Sequence, residues 1–80
     1  MLKIVYSICC GIDVHKKFLV ACIASTNAQG VTTYKTCRFS TFTNGLRKLA
    51  QWLAANSCTY VCMESTGKYW IPVYNILEAT

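Results

Sequence analysis

Only three acidic residues stand in this 80-residue chain, and two of them interrupt apolar runs. Glu64 closes the run Tyr60 to Met63, which reads as a short buried strand. Asp13 lies inside a second run, Ile8 to Val14. A carboxylate at the end of a buried strand is costly to desolvate unless something positive neutralises it. The placement makes sense if the two acids meet at one site. Two carboxylates held close either share a proton or bind a cation. Oxygen ligands of this type suit Mg2+ or Mn2+, bound through a few carboxylates plus water and phosphate. Such an ion activates a nucleophile and stabilises the leaving oxygen in phosphodiester chemistry. The competing reading makes Asp13 and Glu64 ordinary strand-end residues paired with Lys16 and Lys68, and pattern alone does not separate the two.

Other side chains near the acids carry weaker signals. His15 follows Asp13 by two residues and so shares its face if the strand continues; it either orients a metal-bound water or phosphate, or is a solvent-facing turn histidine. Lys16, Lys17 and Lys68 flank the carboxylates, either as phosphate contacts with salt-dependent affinity or as solvated strand ends. Tyr69, Trp70 and Tyr74 are of a kind that stacks on bases, but their spacing along an amphipathic helix favours the core. Ser65 adjoins Glu64, yet no His or second Asp is placed to complete a triad, so it is not read as a nucleophile.

The totals bound what can hold these residues. Eighty residues make one small domain, which buries roughly 60–65% of its unfolded surface. With 54% apolar and 14% charged residues the chain is not of the disordered class. A net charge of +5 suits an anionic partner, most simply nucleic acid. None of the six cysteines forms a C-x2-C pair, and most lie in or beside strand-like runs. They read as free thiols in a reducing cytosol rather than a disulfide framework or a zinc knuckle. The amino-terminal run lacks an A-x-A-like cleavage site and leads straight into Asp13, against a secretory signal. The longest apolar run, Phe18 to Ala24, is far short of the about 20 residues that span a bilayer.

The elements follow from hydrophobic period and turn chemistry. Residues 4–14 are expected as a first strand with two largely apolar faces, hence a central strand covered on both sides. Gly11 on that strand would let a neighbour approach the backbone beside Asp13. His15-Lys16-Lys17 connects to a second strand, 18–26, and Asn27-Ala28-Gln29-Gly30 turns the chain with Gly at positive φ. A third strand, 31–40, alternates in polarity as an edge strand does. Thr43 or Asn44 is expected to cap a helix to about Ala55, with Leu46, Leu49, Ala50 and Leu53 forming its apolar stripe and Asn56 as its C′ residue. A fourth strand, 59–63, then returns parallel to an earlier one, and Ser65, Thr66 and Gly67 lead to a last helix near Tyr69 that tolerates Pro72 in its first turn. The order β-β-β-α-β-α is an α/β sheet with no partner expected beyond the fourth strand. A helical crossover can lay that strand beside the first, which brings Asp13 and Glu64 within reach of one another.

Two segments carry a resemblance. Gly11-Ile12-Asp13-Val14-His15-Lys16 and Met63-Glu64-Ser65-Thr66-Gly67-Lys68-Tyr69-Trp70, followed by Pro72-Val73-Tyr74-Asn75, resemble the amino-terminal part of bacterial DEDD transposases of the insertion-sequence one-ten family. That family is similar to the RuvC resolvase, so the resemblance implies an RNase H-like, RuvC-like fold whose strand order matches the one above. It implies that Asp13 and Glu64 are the first D and the E of a tetrad binding Mg2+ or Mn2+. It further implies DNA as substrate in transposition or site-specific recombination, a structured guide RNA, a serine nucleophile in a carboxy-terminal domain and a bacterial, cytoplasmic setting. No Asp other than Asp13 is present. The expectation is therefore an amino-terminal part, residues 1–80, of one truncated catalytic domain, with an incomplete metal site and no recombinase activity on its own. Its apolar fourth-strand edge would be prone to pairing with another chain, including a second copy. The alternative is a non-catalytic remnant that binds nucleic acid or protein through its basic surface.

Overall fold

A computed structural model describes residues 7–65, 67 and 69–79. The chain runs β1 (Ile8–Val14), β2 (Phe18–Thr26), β3 (Thr32–Ser40), α1 (Thr43–Ala55), β4 (Val61–Ser65) and α2 (Trp70–Glu78). The sheet order is β3-β2-β1-β4, with β1–β2 and β2–β3 antiparallel and β1–β4 parallel. This mixed α/β sheet is consistent with the opening of an RNase H-like fold, and β3 is at an edge as its polarity predicts.

The hairpin shows how local chemistry sets register. The Asn27 side-chain carbonyl accepts from the backbone N–H groups of Gln29 and Val31, both at 3.0 Å. Gly30 takes φ +81°, a region open to glycine at little cost. With Thr26 opposite Thr32, every β2–β3 pair follows, including Val20 opposite Arg38.

The core lies on one side of the sheet only. Cys10, Ile12 and Val14 of β1 and Leu19, Ala21 and Ile23 of β2 are buried together with Leu46, Leu49 and Leu53 of α1 and Val73 of α2. The expected helical stripe is therefore the packed one, with Ala50 half-buried beside it. The opposite face, with Gly11 and Asp13 exposed, is not covered by any described element. The two-sided burial read from the apolar content of β1 is thus corrected: Cys9, Val20, Cys22 and Ala24 are only half-buried, and both helices lie on the other face.

Element ends differ from expectation in small ways. β1 starts at Ile8; residues 4–6 of the expected strand lie outside the described residues. β4 spans Val61–Ser65 rather than 59–63, so Glu64 is inside the strand. The Tyr60 carbonyl already accepts the Cys10 N–H at 2.9 Å, which extends the backbone pairing ahead of it. Neither Thr43 nor Asn44 caps α1: the cap position is Phe42, with no side-chain cap bond, and its own N–H donates to Ser40 Oγ at 3.1 Å. At the other end Ser57, not Asn56, takes the left-handed conformation, with φ 54°. Ser57 N–H donates to the Ala54 carbonyl and Cys58 N–H to that of Leu53, the paired bonds of a Schellman turn.

No pair among the six cysteines is bridged. Burial, and then the proximity of Cys58, pushes the Cys10 thiol up to about 12 from 9.0. Burial also raises Cys58. A thiol that stays protonated in the fold but ionises in the unfolded chain supports the fold fully below about pH 9, and that support is lost as pH rises toward 12. Denaturation midpoints are therefore expected to fall steadily above pH 9, and less steeply in Cys10→Ala at matched reduction. Equal slopes for both proteins would remove Cys10 as the cause.

Two glycine exchanges test the packing with opposite signs. Gly45 is buried in the first turn of α1, and an added Cβ would run into the Ser40 carbonyl, which is backbone and cannot swing away. Gly45→Ala is expected to destabilise by about 1–3 kcal/mol through overpacking. Ser57→Gly relieves a left-handed serine and is expected to stabilise by about 0.5–1 kcal/mol. Urea titration of the two variants gives both values.

Candidate active site

Asp13 and Glu64 come together through strand pairing. The parallel register of β1 and β4 sets Asp13 directly opposite Glu64, on strands that run about 4.8 Å apart. Paired residues share a face, and here it is the uncovered one: Ile12 and Val14 point into the core while Asp13 is exposed, and Met63 is half-buried while Glu64 is exposed. The desolvation argument built on buried acids is corrected by this exposure. Asp13 keeps 63% of its side-chain surface in water, so neither acid needs a buried counter-charge. What survives is the juxtaposition itself.

His15 is bound to the first acid. Its Nε2 donates to Asp13 Oδ2 at 3.0 Å, and its ring stacks on Phe18 with centroids 4.5 Å apart at 23°. It is therefore half-buried and held on two sides rather than a free turn histidine. Arg38 places its guanidinium over the same Phe18 ring, 3.9 Å from the centroid. With Val20 opposite both Asp13 and Arg38, one row across the sheet reads Glu64, Asp13, Val20, Arg38. Arg38 is absent from the sequence-based candidates, although the Asn27–Gly30 turn, once given its register, places it on that row.

The row opens into a cleft of about 810 Å3 lined by Asp13, His15, Met63, Glu64, Ser65, Gly67, Trp70 and Tyr74. Gly67, with φ +70°, turns the chain from β4 toward α2. Trp70 and Tyr74 stay 40% and 44% exposed and pack edge to face at 5.9 Å and 76°. Tyr69 is 42% exposed, so the core placement of these three rings is corrected. Val73 takes the buried position of α2, and Ile76 and Leu77 pack partly against the core. Glu78, one turn on, hydrogen-bonds the Tyr74 phenol and raises its pKa. Lys16 and Lys17 are exposed at the same end of the sheet, in a turn pinned by Thr41, whose Oγ1 donates to the Lys16 carbonyl at 2.8 Å. Neither lysine pairs with Asp13 among the described contacts; His15 takes that place. Lys68 and Thr66 lie outside the described residues.

A family model described as transposase, the DEDD transposase type of IS110, matches residues 10–80. The chain belongs to this transposase family. No curated protein matches it. The DEDD family is typically metal-dependent. The donor chemistry here fits part of such a centre: two carboxylates on one cleft, with an imidazole holding one of them. Among the described residues no group of three His, Cys, Asp or Glu side chains is close enough to hold an ion. What the described residues of this transposase chain bring to one cleft is two carboxylates and one imidazole. No helix among the described residues is long and apolar enough to cross a membrane.

Like charges opposite one another in a sheet destabilise it by roughly 0.2–1 kcal/mol. Glu64→Gln, which leaves the Asp13–His15 pair intact, is expected to leave stability unchanged or raise it within that range. Thermal unfolding in metal-free buffer at low salt measures it, and a marked loss would assign Glu64 a structural role instead.

Proposed function

We propose that this chain is the amino-terminal part of a single RuvC-like catalytic domain in a metal-dependent DEDD transposase, acting in DNA transposition by cutting and joining phosphodiesters. In this reading Asp13 and Glu64 are the ligands it contributes for Mg2+ or Mn2+. The observation that supports it most is the pairing of these two acids at one register on the uncovered face, in a chain of this family.

A bound divalent ion supplies activation of the attacking oxygen and charge stabilisation at the leaving oxygen. The chain's own residues do the rest. β1 and β4 hold the two carboxylates at adjacent, rigidly paired positions. His15 fixes the orientation of Asp13 and, through Phe18, is itself fixed. Lys16 and Lys17 attract the substrate backbone, with Lys68 in the same role, so affinity falls as salt rises. DNA is the substrate in this proposal; the family resemblance adds a structured guide RNA and a bacterial cytoplasmic setting, and the fourth-strand edge adds pairing with a second copy. With half a tetrad, the isolated chain is expected to bind metal weakly and not to recombine DNA.

Calorimetric titration with Mn2+ tests the ligand assignment. Wild type is expected to bind with a heat that Asp13→Asn and Glu64→Gln each reduce at least ten-fold in affinity, about 1.4 kcal/mol. Wild type binding no better than either variant removes the autonomous metal site. DNA binding that persists unaltered in both variants then favours the non-catalytic binding module.

A further inference from the structure

We infer that Trp70 and Tyr74 form a base-stacking subsite that seats an unpaired nucleotide of the DNA strand next to the phosphate held at Asp13 and Glu64. The inference rests on the metal-site reading above and adds to it the substrate element that this wall of the cleft takes.

The argument begins with exposure. An amphipathic helix that closes a core turns its large rings inward; α2 instead buries Val73 and leaves Trp70 and Tyr74 exposed by about two fifths. Both line the same cleft as the two acids and His15. Their planes are near perpendicular, so the ring that presents its edge keeps its faces uncovered by its partner. A flat apolar face beside a pair of carboxylates is poorly matched to an acidic peptide and to a lipid surface. It is well matched to a nucleotide, whose phosphate approaches the acids through a divalent ion while its base lies on the ring. The basic turn at Lys16 and Lys17, at the same end of the sheet, and the net charge of +5 complement the following phosphates. Stacking is indifferent to base identity, so the subsite holds the strand in place without reading sequence. The nucleotide must be unpaired, because a base inside a duplex has no free face.

The test uses the 80-residue chain with a dye-labelled oligothymidylate of about twelve nucleotides at low salt with Mn2+. Trp52, packed on Phe39 at 5.4 Å and away from the cleft, is the second fluorophore, so Trp52→Phe isolates Trp70 emission. Expected are quenching of Trp70 on binding and an affinity about ten-fold lower or worse in Trp70→Ala. Trp70→Phe should keep most of the affinity, and the slope of affinity against salt should not change, because no phosphate contact is lost. Trp70→Ala binding as tightly as wild type overturns the subsite, as does Trp70 emission that stays unquenched when Trp52→Phe binds the oligonucleotide, and so does a wild-type chain that binds no oligonucleotide. Trp70-dependent binding that ignores Mn2+, Asp13→Asn and Glu64→Gln keeps the subsite and removes the metal reading, so the two fail separately.

Discussion

The site depends on the parallel pairing of β4 with β1, in a register set by packing rather than by the acids. Val61 and Met63 pack against the core, and the alternate positions, Cys62 and Glu64, face outward. Strand side chains repeat every two residues, so a slip of one position would drive Glu64 into the layer occupied by Val73, Leu49 and Ile12. Putting an unpaired carboxylate there is prohibitive. The apolar pattern of five residues thus fixes where a carboxylate stands relative to Asp13. Chemistry inherits its geometry from the core.

The one-sided sheet divides the work between its faces. The helix-covered face holds the buried side chains, of which each Val, Leu and Ile contributes about 1.5–3 kcal/mol. The other carries half-buried Cys9, Val20, Cys22 and Ala24, the open space above Gly11 where an added Cβ would meet no described neighbour within 4 Å, and the row from Glu64 to Arg38. Solvation there removes the penalty that made the acids look anomalous. The exposed face thus carries its two carboxylates without a buried counter-charge and without unsettling the fold.

Much of this was legible from residue order because it rests on local period and turn chemistry. The span of β2, the hairpin at Asn27–Gly30, the α1 stripe and the return of β4 beside β1 all follow from such patterns. What was not legible depends on which layers are present. Apolar residues on both sides of β1 imply a covered strand, but whether an element covers the second face is a tertiary fact. Likewise Trp70 and Tyr74 occupy helix positions that sequence alone assigns to a core, and only the placement of Val73 toward Leu49 turns them outward. The cap at Phe42 and the left-handed Ser57 were not legible because both break residue preferences. Asp13 and Glu64 were legible as a pair, although the reason first given for pairing them, burial, was not the operative one.

The electrostatics of the row argue that the acids are not there for the fold. Exposed ion pairs such as Asp13–His15 contribute at most about 1 kcal/mol, and like charges opposite each other subtract a similar amount. Replacing either acid by an amide would leave the sheet no worse. Yet the chain, with net charge +5, places two of its three acids side by side and secures one with an imidazole that is itself stacked on Phe18. Such support restricts the Asp13 side chain while leaving its second oxygen directed to no described hydrogen-bond partner. Holding a carboxylate still on an exposed face lowers the entropy lost when a ligand binds it. That order does little for a sheet that needs only to stay folded, and it is in keeping with the ligand role proposed for Asp13.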